Sequence, residues 1–355
     1  PFNSVQALGF VSWELDLFGR IRRLSEAAQA ELAASEEGRR AAALGVASSV
    51  ASGYVSLRAL DKQLEISRAT AKSRLDALTL FEKRFKGGVI SAIELNQAQS
   101  EAATAQAAVP EYERQVALQE HALSLLLGRN PGPITRGKSI DALAVPAVPA
   151  GLPSQLLERR PDVLAAEQTL VAANARIGAA KALYFPTLSL TGSGGVASTS
   201  LNNLMSNPAS VWNVGASLTA PIFTAGAISG QVEVAKAQQQ AALLSYQQTV
   251  QNAFKEVEDG LVNSYKGRDK IDAQQKQVTA LRSYARFARM RYEGGYSSYL
   301  EVLDAERSLF NAELDFTRTQ NDNFVRVISL YKALGGGWPE AEKLAPKPTL
   351  ASNTQ

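Results

Sequence analysis

Laid over itself with a shift of 207 positions, this 355-residue chain matches itself without a gap. Arg84-Phe85-Lys86-Gly87-Gly88 falls on Arg291-Tyr292-Glu293-Gly294-Gly295, and Ser91, Glu94 and Ala98 fall on Ser298, Glu301 and Ala305. Val50, Gly53 and Val55 meet Val257, Gly260 and Val262, and Leu127-Gly128 meets Leu334-Gly335. The shift holds from about Gly19 to Gly128, and spaced glycines, charges and apolar positions do not agree by chance over roughly a hundred residues. The chain is a duplication, so its fold is built from two copies of one unit.

Each copy reads as a short β segment, a long helix, a Gly-Gly turn and a returning helix. From Arg20 to Lys86 there is no proline, and the good helix formers Ala, Leu, Gln, Glu, Arg and Lys predominate. At 1.5 Å per residue such a helix is roughly 100 Å long. Its partner, about Gly230 to Glu293, has similar length and also lacks proline. Helices of that length do not fit a compact domain; they imply a coiled coil or the wall of a helical barrel. The turns at Gly87-Gly88 and Gly294-Gly295 reverse the chain at the hairpin tips, since glycine tolerates the positive φ needed to leave a helix.

The duplication also sets the domain organisation. A first repeat spans 1–130, and a proline-rich connector that cannot continue a helix spans 131–153. A second repeat spans 154–338, and a flexible tail follows at 339–355. Pro161 suits the first turn of a helix with Asp162 near its positive end, and that helix is expected to run to about Leu183.

Bulk chemistry removes several functions. Lys and Arg number 37 against 34 Asp and Glu, a net +3, which is too near balance for the clustered basic face that nucleic acid requires. There is no cysteine and only one histidine, His121, so disulfides, thiolate metal sites and histidine-based sites are not expected. Glu31, Glu36 and Glu37, like Arg282, Arg286 and Arg289, read as solvated helix faces. Gly335-Gly336-Gly337 follows no strand and precedes no Lys–Thr pair, so it is a helix stop rather than a phosphate loop. No Ser/His/Asp set or pocketed pair of acids can be assembled; neither an enzyme nor a cofactor is expected.

The stretch from Ala182 to Val232 contains no charged residue, in a chain where 20% of residues are charged. Two segments within it alternate, at 184–196 and 212–223. Trp212, Val214, Ala216, Leu218, Ala220 and Ile222 share one face, against Asn213, Gly215, Ser217, Thr219, Pro221 and Phe223 on the other. Leu188 and Leu190 likewise oppose Thr187, Ser189, Thr191 and Ser193. Apolar-out, small-polar-in alternation over about ten residues is the pattern of a transmembrane β-strand facing lipid on one side and a wet lumen on the other. A half-buried soluble strand also alternates, but it would place Lys, Glu or Asp on its wet face. In the first copy Val11, Trp13, Leu15 and Leu17 alternate with Ser12, Glu14 and Asp16. The expected lipid-facing set is Val11, Trp13, Leu188, Leu190, Trp212, Val214 and Leu218. No apolar run reaches the roughly 18 residues of a spanning helix, so any crossing would be by strands. By analogy with 152–222, the first copy's opening helix and first strand are expected before Pro1. Four strands per protomer are too few to close a barrel, whereas three protomers would supply twelve.

The chain resembles the outer membrane factor (TolC-like) family of tripartite efflux systems, in its OprM/NodT lipoprotein branch. The resemblance is carried by Ser12-Trp13-Glu14-Leu15-Asp16-Leu17-Phe18-Gly19-Arg20, Leu157-Glu158-Arg159-Arg160-Pro161-Asp162-Val163, Tyr184-Phe185-Pro186 and Pro221-Ile222-Phe223. The segment Arg291–Leu309 and Lys332-Ala333-Leu334-Gly335-Gly336-Gly337-Trp338 complete it, so that the match runs essentially to Trp338. It implies a mainly α fold with a membrane β part: a homotrimer whose twelve-stranded outer-membrane barrel stands on a periplasmic α-helical tunnel. It also implies coupling to a periplasmic adaptor (a membrane fusion protein) and an inner-membrane RND-type pump, and a lipid anchor on a cysteine outside this sequence. The function implied is passive export of drugs or other small molecules. A soluble periplasmic coiled-coil adaptor or scaffold is the alternative.

By the same resemblance, Glu301 and Asp304 match paired acids that ring the narrow periplasmic entrance. Glu94 matches an acidic position that helps hold the helices closed, and Tyr292 an aromatic on the constricting hairpin. The glycines at 87, 88, 294 and 295 fall at the tips that meet the adaptor. The family's basic gate partner falls on Ser297 here. Ser91-Ala92-Ile93-Glu94 and Ser298-Tyr299-Leu300-Glu301 are also capping-box patterns, so both glutamates have a capping reading beside the gate reading. Asp304 has no capping role, and with its acid three residues from Glu301 it is the favoured gate residue.

Overall fold

Among the residues described by this computed structural model, which are 4–145, 158–205 and 209–336, helices dominate and one small sheet interrupts them. The proline pairs of the connector at 146–157, Asn207-Pro208 of the loop between the strands, Trp338 and the tail lie outside the described residues. Strand β1 (Val5–Leu15) leads into helix α1 (Arg20–Lys86), which turns into α2 (Ala92–Leu126). After the connector come α3 (Pro161–Ala182), β2 (Thr187–Ser198), β3 (Ser210–Thr219), α4 (Ala227–Glu293) and α5 (Tyr299–Ala333). Counterpart helices have equal lengths: 67 residues for α1 and α4, and 35 for α2 and α5. No helix among the described residues is long and apolar enough to cross a membrane.

The strands differ from their expected bounds for local reasons. Tyr184 and Phe185 belong to the last turn after α3, where their N–H groups donate to Lys181 and Ala182 carbonyls, so β2 starts only after Pro186. The strand expected to run to Phe223 ends at Thr219, just before Pro221, which has no N–H to offer a ladder. Strand β1 reaches back to Val5, beyond the alternating stretch, because pairing with β2 continues from Leu15↔Leu188 to Val5↔Ser198. Leu8 and Phe10 break the polar alternation there, which hides the strand from a pattern reading.

Two compact units divide the chain, and each draws on both repeats: residues 1–40 with 161–252, and 41–160 with 253–355. The first unit holds the antiparallel sheet, ordered β1-β2-β3, and a core of small side chains (Ala27, Ala30, Ala172 and Ala175) where α1 and α3 approach closely. Asp16 accepts hydrogen bonds from the N–H groups of Ile21 (2.9 Å) and Arg22 (2.8 Å), placing a carboxylate at the positive end of α1. Desolvation works against that charge, but the two N–H donors hold the Asp16 carboxyl below its ordinary range. Glu14 pairs with Arg20 at 2.6 Å, and Phe18 stacks on Phe185 with ring centres 4.6 Å apart. These contacts account for the Glu-Leu-Asp-Leu-Phe-Gly-Arg run as a strand-to-helix corner.

In the second unit the helices form two hairpins, and the repeated glycines show why the duplication kept them. A β-carbon at Gly53 would come within 2.9 Å of Leu123, and one at Gly260 within 2.8 Å of Leu330. Leu123 and Leu330 are themselves counterparts, both almost fully buried, so each hairpin closes on the same glycine–leucine contact. Arg136, in the described start of the connector, bridges Asp61 and Glu120 and ties that segment to α1 and α2.

Candidate functional site

At the hairpin tips the chain must stop a helix, reverse and start another within a few residues. Both tips solve the first step identically. Gly88 and Gly295 take φ of 71° and 77°. The following N–H groups, of Val89 and Tyr296, reach back to the carbonyls of Arg84 and Arg291 at 2.9 Å. Orphan carbonyls at the helix ends are thereby satisfied.

The restart differs. Ser91 forms a complete capping box: its hydroxyl accepts from the Glu94 N–H at 3.3 Å, and its own N–H donates to the Glu94 carboxylate at 2.8 Å. Ser298 makes no side-chain cap, so the capping reading of Glu301 is corrected. Glu301 instead lies 3.5 Å from the Arg291 guanidinium. Tyr299, the first residue of α5, is buried in the core, whereas Ala92 at the start of α2 is exposed. Asp304 is exposed and pairs with Arg307 one turn along, at 3.0 Å. Glu301, Asp304 and Arg307 line a cleft of about 660 Å³ together with Gln97, Glu101 and Ser298.

Behind these acids lies an aromatic core. Phe81 and Tyr299 have ring centres 4.2 Å apart, and Tyr292 sits 5.2 Å from Tyr299. Arg84 donates to the Tyr292 hydroxyl at 2.6 Å, bridging the hairpins. Burial pushes the Tyr299 phenol up to about 12. Deeper still, Arg74 is only 4% exposed and lies 3.6 Å from both Glu101 and Glu306. Its Nη1 has no hydrogen-bond partner among the described residues. Arg289 pairs with Glu306 from the other side, so Arg289 is part of a cross-helix network rather than a freely solvated face.

Of the residues expected to form a site, Glu301 and Asp304 come together in one cleft, and Tyr292 lies in the adjoining aromatic core. Glu94 is engaged in its cap. Ser297, where the family places a basic partner, has a buried hydroxyl without a hydrogen bond; the basic groups beside the two acids are Arg291 and Arg307. These arginines, Arg74 and Tyr299 were missed by the sequence reading. The signal for most of them was departure from the duplication, since Arg74 faces Leu281, Tyr299 faces Ala92 and Arg307 faces Ser100 in the other copy.

The sheet register gathers the strand residues by face. Trp13 pairs with Leu190 and Leu190 with Ala216; Leu15, Leu188 and Leu218 form the next row, and Val11, Gly192 and Val214 the one before. Trp212 completes this apolar face opposite Gly194. Trp212, Val214, Val11, Leu218 and Trp13 are each more than 60% exposed, while Leu188 is half-buried. Ser12, Thr191 and Gly215 share the other face, as do Glu14, Ser189 and Ser217. A sheet whose apolar face is largely exposed is complete only against something apolar. Among the described residues no three acids, histidines or cysteines are grouped to hold a metal.

A family model for "Outer membrane efflux protein" matches residues 2–129 and 152–336. The solvent efflux pump outer membrane protein SrpC of Pseudomonas putida is 38% identical over 338 residues, covering 95% of this chain and 72% of that protein. The cation efflux system protein CusC of Escherichia coli is 38% identical over 336 residues, covering 93% and 72%. Among solved structures, the open state of the MtrE outer membrane channel of Neisseria gonorrhoeae superposes with a TM-score of 0.84 at 33% identity, covering 94% of this chain and 80% of that one.

Proposed function

The chain belongs to the outer membrane efflux protein family, and from that premise we propose that three protomers, each adding the expected fourth strand to the three seen here, close a barrel whose periplasmic entrance is gated by Glu301 and Asp304. It is an outer-membrane channel, the exit duct of a tripartite pump rather than a soluble adaptor. In the proposed trimer the apolar face of the sheet meets lipid and the face of Ser12, Thr191 and Ser217 lines the lumen. Glycines 87, 88, 294 and 295 mark the tips offered to a periplasmic adaptor, which couples the duct to an inner-membrane pump of the RND type. The duct itself catalyses nothing; cargo moves down its gradient. SrpC and CusC are equally similar to this chain, yet one is named for solvents and the other for cations. That favours selection of cargo by the pump.

The gate rests on one observation: among the described residues, the acids of the second tip pair with exposed arginines, Glu301 with Arg291 and Asp304 with Arg307. Arg307 and Asp304 are 60% and 53% exposed along their side chains. Such pairs contribute at most about 1 kcal/mol, so they can exchange partners when the tips move. Threefold symmetry makes each acid a ring of three, which attracts cations and repels anions. In planar bilayers, Asp304→Ala and Asp304→Arg are expected to change conductance and to lower cation preference, the arginine variant most. Wild-type conductance and selectivity in both variants would remove Asp304 from the gate.

A further inference from the structure

The sheet breaks its own alternation in one place. On the face of Ser12, Thr191 and Ser193, three apolar side chains also project: Leu8, Phe10 and Val211. Phe10 lies opposite Ser193, which lies opposite Asn213; in the next row Leu8, Gly195 and Val211 are in line. Phe10 is 76% exposed, and nothing in the sheet covers it. The residue between Leu8 and Val211 cannot grow a side chain, because a β-carbon at Gly195 would come within 2.0 Å of the Ala7 carbonyl oxygen. The row therefore stays flat and the aromatic ring stands clear.

The duplication shows that this patch is not needed to build such a strand. In β3, the matching strand of the second repeat, the same face carries Asn213, Gly215, Ser217 and Thr219 beyond Val211, none of them a large apolar residue. Phe10 is also well inside the span, five residues from Leu15 where the strand ends, or about 17 Å along it. It does not belong to an aromatic girdle on the lipid side, because Trp13 and Trp212 are on the opposite face.

We infer that Phe10, flanked by Leu8 and Val211, is a contact inside the lumen that binds aromatic cations in transit. This rests on the proposed trimer with its polar face inward. An exposed ring offers its face to flat solutes by stacking and to cations through its quadrupole, while the Ser, Thr and Asn side chains around it bind neither selectively. Three copies would give three such contacts at one depth, a waystation on an otherwise polar wall.

The test uses the full-length trimer in planar bilayers. The 355 residues contain no cysteine, so an introduced thiol is the only one among them. Ser12→Cys and Phe10→Cys are expected to react with a charged methanethiosulfonate reagent and lose conductance, while Val11→Cys stays silent. Tetraphenylphosphonium is then added as the aromatic cation. Its block of the ion current is expected to weaken at least about threefold in Phe10→Ser and to persist in Phe10→Trp. If Ser12→Cys reacts but the wild type and Phe10→Ser are blocked equally, the contact is overturned and the barrel stands. If Val11→Cys reacts and Ser12→Cys does not, the inward polar face is overturned and the contact with it.

Discussion

The two hairpin tips are built alike up to their glycines and part company within the next few residues. The first closes on itself, with Ser91 and Glu94 satisfying each other and Gln97 and Ser100 following along the helix. In the second, the same four positions carry Ser298, Glu301, Asp304 and Arg307, the cap is absent, and each acid leans on an arginine instead. Duplication thus preserved what reverses the chain and let charge accumulate on one side. At the first tip the acid is engaged in its cap. The second keeps its acids in pairs that cost little to break, which is what a movable constriction requires.

The largest effect is expected where the asymmetry is buried. Arg74 sits between Glu101 and Glu306, whereas its counterpart is Leu281. Arg74→Leu copies the second repeat into the first but leaves Glu101 without its buried cation and Glu306 with Arg289 alone. Removing one member of a buried charged group costs about 3 kcal/mol. Hydrogen exchange should show α1 and α5 opening near residues 74 and 306, with larger conductance in bilayers. Wild-type protection would mean that the aromatic core alone joins the hairpins.

Next come the glycines, where the tips should remain equal. Gly88→Ala and Gly295→Ala each force a side chain into a left-handed backbone, with no neighbouring atom in contact. Each should cost about 1 kcal/mol, measured as a lowered denaturant midpoint. Clearly unequal costs would break the equivalence of the two turns.

Much of this was legible because it is periodic or repeated. The long helices, their proline-free extent, the glycine turns and the apolar stripe of Trp212, Val214 and Leu218 each leave a regular mark on the sequence. What stayed hidden is irregular. Strand β1 was read only from Val11 because Leu8 and Phe10 interrupt the polar alternation. Glu301 reads as a cap because Ser298-Tyr299-Leu300-Glu301 has the right spacing; its pairing with Arg291, a contact the spacing does not reveal, is what the structure has instead. Arg74 looks like any helix-surface arginine until the second hairpin covers it.

Smaller, and opposite at the two tips, are the effects of removing the caps and the acids. Ser91→Ala should cost about 1 kcal/mol, while Ser298→Ala should be nearly silent because that hydroxyl makes no cap. Glu301→Ala should alter ion selectivity with little loss of stability, and Glu94→Ala the reverse. A selectivity change in Glu94→Ala as large as that in Glu301→Ala would make both tips part of the gate.

The last difference has no effect at neutral pH and emerges only in alkali. Tyr299 begins α5 in the core, and its counterpart Ala92 is exposed at the start of α2. Burial raises the Tyr299 phenol from 10.0 to about 12, with nearby Glu306 adding to the rise. The folded state therefore holds this proton more tightly than the unfolded chain does. Stability from this site is complete below pH 10, where both forms are protonated, and declines as pH rises from 10 towards 12. Hydrogen exchange across this interval should show the second tip losing protection before the first, alongside the rise of tyrosinate absorbance. Tyr299→Phe keeps the ring and removes the proton, so it should abolish the difference between the tips. If the variant's second tip still loosens first, the lability comes from the Glu301–Arg291 and Asp304–Arg307 pairs and not from the buried phenol.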